Sequence, residues 1–209
     1  MKISEKYADY ILEETKKLLE IDSPSGYTKN VAEYVMEEYH KLGYKADMTV
    51  KGGVLVDLGG EDESNAVMLD THIDTLGGMV SEIKADGNLR IVPIGGLNAN
   101  NTEAENVRVV TRDGKIYTGV FQLDNASVHV NKEYSEKKRS FACMEVLLDE
   151  MVSTKEETRK LGIDVGDIVC FDPRTVITPS GYIKSRFLDD KLSAVSYTHL
   201  RAHETRHDL

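Results

Sequence analysis

The sequence predicts an α/β domain that is interrupted by a β-rich insert. Two amphipathic helices and two short strands open the chain, a run of short strands with hairpin turns follows, and a helical pattern returns near Phe187. We assign residues 1–78 and 181–194 to the α/β domain and residues 79–180 to the insert.

Helical spacing of apolar residues marks the first two helices. The first begins at Ser4 and stops at the turn cluster of residues 22–26. The second follows Thr28, whose side chain can cap a helix, and ends before Gly43, which can supply a left-handed cap. Both helices therefore have start and stop signals of their own.

Two apolar segments after these helices predict strands. Residues 54–58 lie between two glycine pairs, which read as turns. The run Ala66-Val67-Met68-Leu69 is continuously apolar, as in a strand whose two faces are both covered by helices. We therefore expect a sheet with helices on either side.

Short strands separated by turns fill the insert. Asp86-Gly87-Asn88 and Asp113-Gly114 favour hairpins, and a capping box at Ser153–Glu156 predicts a short helix. This pattern predicts a small antiparallel sheet or barrel. The strands are expected at residues 79–83, 89–94, 107–111, 115–121, 127–130 and 166–171.

Composition and net charge indicate which classes of binding partner are disfavoured. The 209 residues are 40% hydrophobic and 30% charged, with 26 basic and 36 acidic residues and a net charge of −10. An acidic surface disfavours nucleic acid and anionic membranes as partners. The sequence shows neither a long apolar run nor a signal-peptide pattern, so a cytoplasmic location is expected. Cys143 and Cys170 are expected to be buried thiols in a reducing compartment.

His72 and Asp74 are the first candidates for a metal site. They lie two residues apart at the end of an apolar run, so both side chains leave the same face where open α/β sheets place their ligands. An imidazole can bind zinc or cobalt, and a nearby carboxylate can orient that imidazole. The alternative is a surface histidine that hydrogen-bonds a turn aspartate.

Asp189 and Asp190 are adjacent acids at the expected first turn of a helix. Acidic residues are favoured there by capping and by the helix dipole alone. The alternative is a carboxylate that bridges two metal ions.

The remaining histidines give weaker signals. His40 is expected to be solvated, and His129, in the expected strand 127–130, suits packing or an interface better than a metal. His203 and His207 match the H-E-x-x-H pattern and share a helical face with His199. That stretch has no apolar stripe to hold a helix against a core.

A different origin explains the histidine-rich end better. Residues 195–205 resemble the translation of a transposase mosaic-end adapter from sequencing libraries. We therefore expect native sequence to end near Ala194 and residues 195–209 to be a non-native tail. Codons that differ from those of the adapter would contradict this.

The order of several motifs resembles one peptidase family over Met1–Ala194. The motifs are Ser23-Pro24-Ser25-Gly26, Thr71-His72-Ile73-Asp74-Thr75-Leu76-Gly77, Gly162-Ile163 with Gly166-Asp167, and Leu188-Asp189-Asp190-Lys191. They are similar to those of the tetrahedral (glutamyl) aminopeptidases, metallopeptidase family forty-two. The resemblance implies a zinc-exopeptidase-like α/β/α catalytic domain, here incomplete, with an inserted barrel-like or PDZ-like dimerisation domain.

This resemblance also implies a chemistry. His72 would ligate one metal, Asp189 would bridge two divalent ions, Zn²⁺ or Co²⁺, and Asp74 would orient His72 or tune the site. Ions held close together lower the pKa of a shared water and polarise the scissile carbonyl. Peptides would be the substrates, and self-association would run from a dimer to a dodecamer.

The expected end at Ala194 leaves part of the family pattern unmatched. A Glu-Glu pair, a further acidic ligand and a late histidine follow downstream in the family, so we expect this fragment to be inactive. Two alternatives remain open: a glycoside hydrolase, as in relatives labelled as cellulases, and a non-catalytic assembly module built from the insert. A glycosidase usually needs aromatic platforms, yet the chain has no Trp and four Phe.

Overall fold

The computed structural model describes residues 3–60 and 62–197, and the chain divides into two compact units. The barrel unit is Thr75–Asp172, and the helical unit comprises the described residues before and after it. The sequence put the insert at residues 79–180. The ends differ because Gly77 already pairs in a barrel strand and a short hairpin after residue 172 belongs to the helical unit.

Four α-helices and ten strands are assigned within the described residues. The helices are α1 (Ile3–Glu20), α2 (Lys29–Lys41), α3 (Lys155–Lys160) and α4 (Leu188–Tyr197). The strands are β1 (Lys45–Met48), β2 (Val54–Asp57), β3 (Gly77–Ile83), β4 (Leu89–Ile94), β5 (Glu105–Val110), β6 (Ile116–Leu123), β7 (Met144–Leu148), β8 (Ile168–Phe171), β9 (Val176–Ile177) and β10 (Ile183–Lys184).

A small apolar core holds the helical unit together. Leu18 of α1, Val31 of α2, and Ala194 and Val195 of α4 are all buried in one cluster. The helical spacing of apolar residues, which predicted α1 and α2, places these side chains on the inward faces of their helices. The core therefore joins α4 to the two N-terminal helices, 170 or so residues earlier in the chain.

The strands of the helical unit form two separate antiparallel pairs. β1 pairs with β2, and β9 pairs with β10. The strand predicted at residues 66–69 is wrong: the segment is irregular, and Val67, Met68 and Leu69 are exposed, Val67 by 84%. An apolar run becomes a strand only where a neighbour pairs with it, and no strand of the described residues does so. The layered α/β/α arrangement stays a prediction.

The barrel unit confirms the expected antiparallel barrel. Its strands close in the order β3-β4-β7-β6-β5-β8, and β8 returns to pair with β3. Phe121 and Phe171 lie fully buried inside, with ring centroids 5.6 Å apart in an edge-to-face arrangement. Gly119 permits a close approach of β6 to β7, because a Cβ there would lie 2.5 Å from the Leu147 carbonyl oxygen.

Three local predictions in the barrel unit need correction. Residues 127–130 form a turn rather than a strand, because they lie exposed beyond the end of β6. The α3 capping box is shifted by one residue: Thr154 accepts from the Glu157 amide, and Glu157 accepts from Ser153. Cys170 is buried as expected, whereas Cys143 is only partly buried.

Candidate metal site

His72 faces oxygen atoms on both sides of its ring. Its Nε2 lies 3.1 Å from Asp189 Oδ1, and its Nδ1 lies 3.2 Å from both the carbonyl oxygen and Oδ1 of Asp74. The His72 side chain is 54% exposed. The structure therefore brings together the three residues that the sequence singled out, within the helical unit.

Two serines in the turn after α1 hydrogen-bond to Asp74 and to the residue before it. Ser25 donates a hydrogen bond from Oγ to Asp74 Oδ2, and the buried Ser23 donates to the Ile73 carbonyl oxygen at 2.9 Å. The sequence identified these serines only as part of a turn and motif, and gave them no role at the site. Their polar side chains next to a proline turn were the available signal.

Asp189 and Asp190 differ in their surroundings. The Asp189 side chain is 96% exposed, whereas Thr71 Oγ1 lies 2.7 Å from Asp190 Oδ2. Both lie in the first turn of α4, as predicted, but their backbone is not helical: Asp189 has ψ 105° and Asp190 has φ −125°, at a kink in the helix. From this kinked turn, the Asp190 carboxylate accepts a hydrogen bond from Ser193 in the next turn of α4. The peptide bond between the two aspartates is cis.

These contacts shift two pKa values. Partial burial acts to lower the pKa of His72, but hydrogen bonds with the Asp74 carbonyl and the Asp189 carboxylate outweigh it and raise that pKa. Hydrogen bonds from Ser193 and Thr71 lower the pKa of Asp190. These oxygens therefore stabilise the protonated imidazole more than water does. The same oxygens at Nδ1 would hold a neutral ring in the tautomer that leaves Nε2 for a ligand.

The donor set suits part of a zinc or cobalt site. Zinc takes imidazole nitrogen and carboxylate oxygen at about 2.0–2.2 Å, which puts two ligand atoms of one ion roughly 3–3.5 Å apart. The 3.1 Å between His72 Nε2 and Asp189 Oδ1 falls in that range. Within the described residues, however, no group of three or more His, Cys, Asp or Glu side chains could hold a metal ion. His72 and Asp189 thus fit as two members of a larger set.

The other histidines lie away from this pair. His40 is exposed near the Ala46 backbone, with Nε2 3.3 Å from the carbonyl oxygen, and His129 is exposed in a turn of the barrel unit. The exposure of His129 contradicts a packing role within the barrel unit, and the alternative of an interface role stays a prediction. His199, His203 and His207 lie outside the described residues.

The chain belongs to the M42 glutamyl aminopeptidase family, whose sequence model matches residues 52–208. This match confirms the family that the motifs resembled, and it extends into the segment expected to be non-native. A Bacillus subtilis protein, YhfE, whose own assignment as an aminopeptidase is provisional, is 46% identical over 87% of this chain and 53% of its own length.

Solved structures agree on the fold. An aminopeptidase from the archaeon Desulfurococcus kamchatkensis has a TM-score of 0.82 and 32% identity, covering 95% of this chain and 52% of its own. PhTET1-12s, described as a dodecamer, has a TM-score of 0.78 and 24% identity over 95% of this chain and 56% of its own. A Thermotoga maritima endoglucanase has a TM-score of 0.72 and 20% identity over 90% and 54%. Below 25% identity, such likeness shows the fold alone.

The chain spans about half the length of the curated relatives it matches. Within the described residues, none of the helices is both long and apolar enough to cross a membrane.

Proposed function

We propose that the whole protein is a metal-dependent aminopeptidase that releases N-terminal residues from peptides. One observation carries the proposal. In a chain of the M42 family, His72 Nε2 faces Asp189 Oδ1 at 3.1 Å, while Nδ1 of the same ring faces Asp74. Metal-ligating histidines usually direct their second nitrogen at a carboxylate or carbonyl oxygen in this way.

Each of the three residues has a separate task in this proposal. His72 would ligate a divalent ion, Zn²⁺ or Co²⁺, through Nε2, Asp189 would be the carboxylate shared by two such ions, and Asp74 would hold the His72 tautomer. When bound, such ions supply a Lewis acid and a nucleophilic water at neutral pH. Asp189 suits a bridge because its carboxylate is exposed and has a second oxygen beyond the one that faces His72.

We also propose that the 209-residue chain itself binds metal weakly and turns over no substrate. The described residues supply two metal ligands, His72 and Asp189, whereas a zinc site uses about four. The other carboxylate near His72, that of Asp190, already accepts hydrogen bonds from Thr71, Ser193 and the His72 amide, so it is not free to act as the base for the water.

A chimera tests the aminopeptidase. Residues 1–194 of this chain would replace the matching segment of YhfE, and the product would be assayed with aminoacyl p-nitroanilides in Co²⁺ or Zn²⁺. We expect chelator-sensitive release, which His72→Ala and Asp189→Ala reduce to the blank rate. Asp74→Asn should lower activity about 10- to 100-fold, as loss of an orienting partner does.

Matched controls separate the site from the fold. His40→Ala and Asp47→Asn remove the same groups from exposed positions of the helical unit and should leave the rate unchanged. A folded chimera that releases no chromophore with either metal would contradict the proposal. Chelator-sensitive release by the purified 209-residue chain would contradict its proposed inactivity.

We further propose that the barrel unit mediates self-association. Met79 of β3 and Val92 of β4 are direct cross-strand neighbours, and both are exposed on the outer face of the barrel. The dodecameric description of PhTET1-12s supports an assembly of this kind. Light scattering after size exclusion tests it: Met79→Lys with Val92→Lys should lower the mass of the full chain, and Ile116→Lys on another strand should not.

A further inference from the structure

The residue after Asp189 is tied to the residue before His72. Thr71 Oγ1 lies 2.7 Å from Asp190 Oδ2 and 3.1 Å from the Asp190 carbonyl oxygen. Either partner directs the single hydroxyl proton of Thr71 at Asp190. Because Thr71 precedes His72 and Asp190 follows Asp189, this link joins two segments that are 119 residues apart in sequence, and a hydrogen bond from the His72 amide to the Asp190 carboxylate adds to it.

Lys191 anchors the same segment at a second point. Its side chain is fully buried, and Nζ donates to the carbonyl oxygens of Leu18 at 2.9 Å and Ile21 at 2.8 Å. These carbonyls lie at the C-terminal end of α1, where unsatisfied oxygens and the helix dipole favour a cation. A buried ammonium is costly to move away from such partners, so this anchor resists displacement.

Asp189 lies next to both anchors. Its carboxylate is almost fully exposed, so packing around the side chain does little to fix its direction. The direction of the Asp189 carboxylate therefore depends on the backbone of residues 189–191. That backbone is held in place by the side chains of Asp190 and Lys191.

We propose that Thr71, acting through Asp190, and Lys191 are positioning residues that hold the Asp189 carboxylate against Nε2 of His72. The consequence for metal binding rests on the function proposed above. The positioning itself does not, because it concerns a contact that exists in the chain without metal.

The test compares Thr71→Val with Thr71→Ser in the 209-residue chain. Valine keeps the shape of threonine but loses the hydroxyl, whereas serine keeps the hydroxyl. Without metal, we expect the nuclear Overhauser effect between the His72 ring and the Asp189 β-protons to be lost with valine and kept with serine. On titration with Co²⁺, the paramagnetic shift of the His72 ring should need about tenfold more metal with valine, the low end for an outer partner of a ligand.

Two controls exclude a general loss of structure. Thr178→Val removes a hydroxyl that lies 3.0 Å from Ser180 Oγ in the β9–β10 hairpin, and it should change neither signal. Thermal melting should give the same midpoint for all three threonine variants. If Thr71→Val does not fold, Asp190→Ala removes the carboxylate, which is the nearer of the two acceptors of the Thr71 hydroxyl, and should lose the same Overhauser effect.

The outcomes separate the two proposals. Wild-type signals in Thr71→Val, or equal losses with valine and serine, overturn the positioning role and leave the metal site standing. If Co²⁺ shifts nothing in the wild-type ring while the valine variant alone loses the metal-free contact, the metal proposal fails in this chain and the positioning role holds.

Discussion

The barrel unit and the helical unit differ in how their strands are paired. Every strand of the barrel has a hydrogen-bonded neighbour on each side, and the ring closes between β8 and β3. In the helical unit, the described strands form isolated pairs, and the apolar segment 66–69 has no strand beside it. All strands of the barrel unit are thus paired on both sides, whereas the described part of the helical unit leaves the apolar side chains of residues 67–69 exposed.

This contrast shows why side-chain hydrogen bonds, rather than strand pairing, hold the candidate site together. In an open α/β sheet, the strand ends would fix His72 through neighbouring strands. Here the His72 segment is held by side chains: Ser23 bonds to Ile73, and Thr71 bonds to Asp190. Individual side-chain hydrogen bonds between segments distant in sequence therefore hold the site, whereas β-pairing holds the barrel.

The largest effect is expected in the barrel core. Phe121→Ala removes a fully buried ring that contacts Phe171 and stacks on Phe141, and it should lower the free energy of unfolding by about 3–5 kcal/mol. Urea unfolding followed by circular dichroism measures it. Met68→Ala, at an exposed position of the helical unit, should cost less than about 0.5 kcal/mol. Equal losses would remove the contrast between the units.

A smaller loss is expected at the buried lysine of the helical unit. Lys191→Met keeps the apolar stem but leaves the Leu18 and Ile21 carbonyl oxygens without that donor, which should cost about 1–3 kcal/mol. Hydrogen exchange should show faster exchange in α1 and α4 and unchanged protection in β3–β8. Lys29→Met, at an exposed lysine of α2, is the matched control. Uniform acceleration across the barrel would mean that the two units do not unfold independently.

Exposure of residues 66–69 should matter for association more than for stability. Val67→Lys places a charge in this apolar segment and should slow the growth of light scattering in concentrated solution, while stability changes by less than about 0.5 kcal/mol. Met151→Lys makes the same change at an exposed position of the barrel unit and should have no such effect. If Met151→Lys slows the scattering as much, net charge rather than the segment controls association.

Local signals predicted most of the fold. Helix start and stop signals gave α1 and α2, and β4 has the predicted bounds, Leu89–Ile94, because a hairpin turn defines its start. β7 was missed, since Met144–Leu148 has neither alternating polarity nor a turn signal before it, and its partners β4 and β6 are distant in sequence. The segment 66–69 was assigned wrongly because composition does not reveal whether a strand neighbour exists.

The candidate site likewise has features that the sequence predicted and features that it could not predict. Strand spacing predicted that His72 and Asp74 would share one face; residues 71–74 are not in a strand, and the two residues instead meet through the contact of Asp74 with His72 Nδ1. The link from Thr71 to Asp190 could not be predicted, because nothing local relates residues 119 positions apart. Nor could the burial of Lys191, since lysine is normally exposed and its partners are backbone carbonyls, which every residue has.

The smallest effect is expected from acid, and it should appear in the barrel unit. Glu103 accepts hydrogen bonds from Arg139 and Tyr134, and the Arg139 guanidinium holds the pKa of that carboxyl below its usual value of 4.5. A lowered folded-state pKa contributes stability that is present above the unfolded value and is lost as pH falls through the folded value. Barrel stability should therefore decline below about pH 4.5.

Glu103→Gln should flatten this decline by roughly 1 kcal/mol or less, whereas Glu156→Gln, at an exposed residue of α3, should leave it intact. Urea unfolding between pH 3 and 6 measures both, and an unchanged acid limb in Glu103→Gln would assign the decline to other carboxylates.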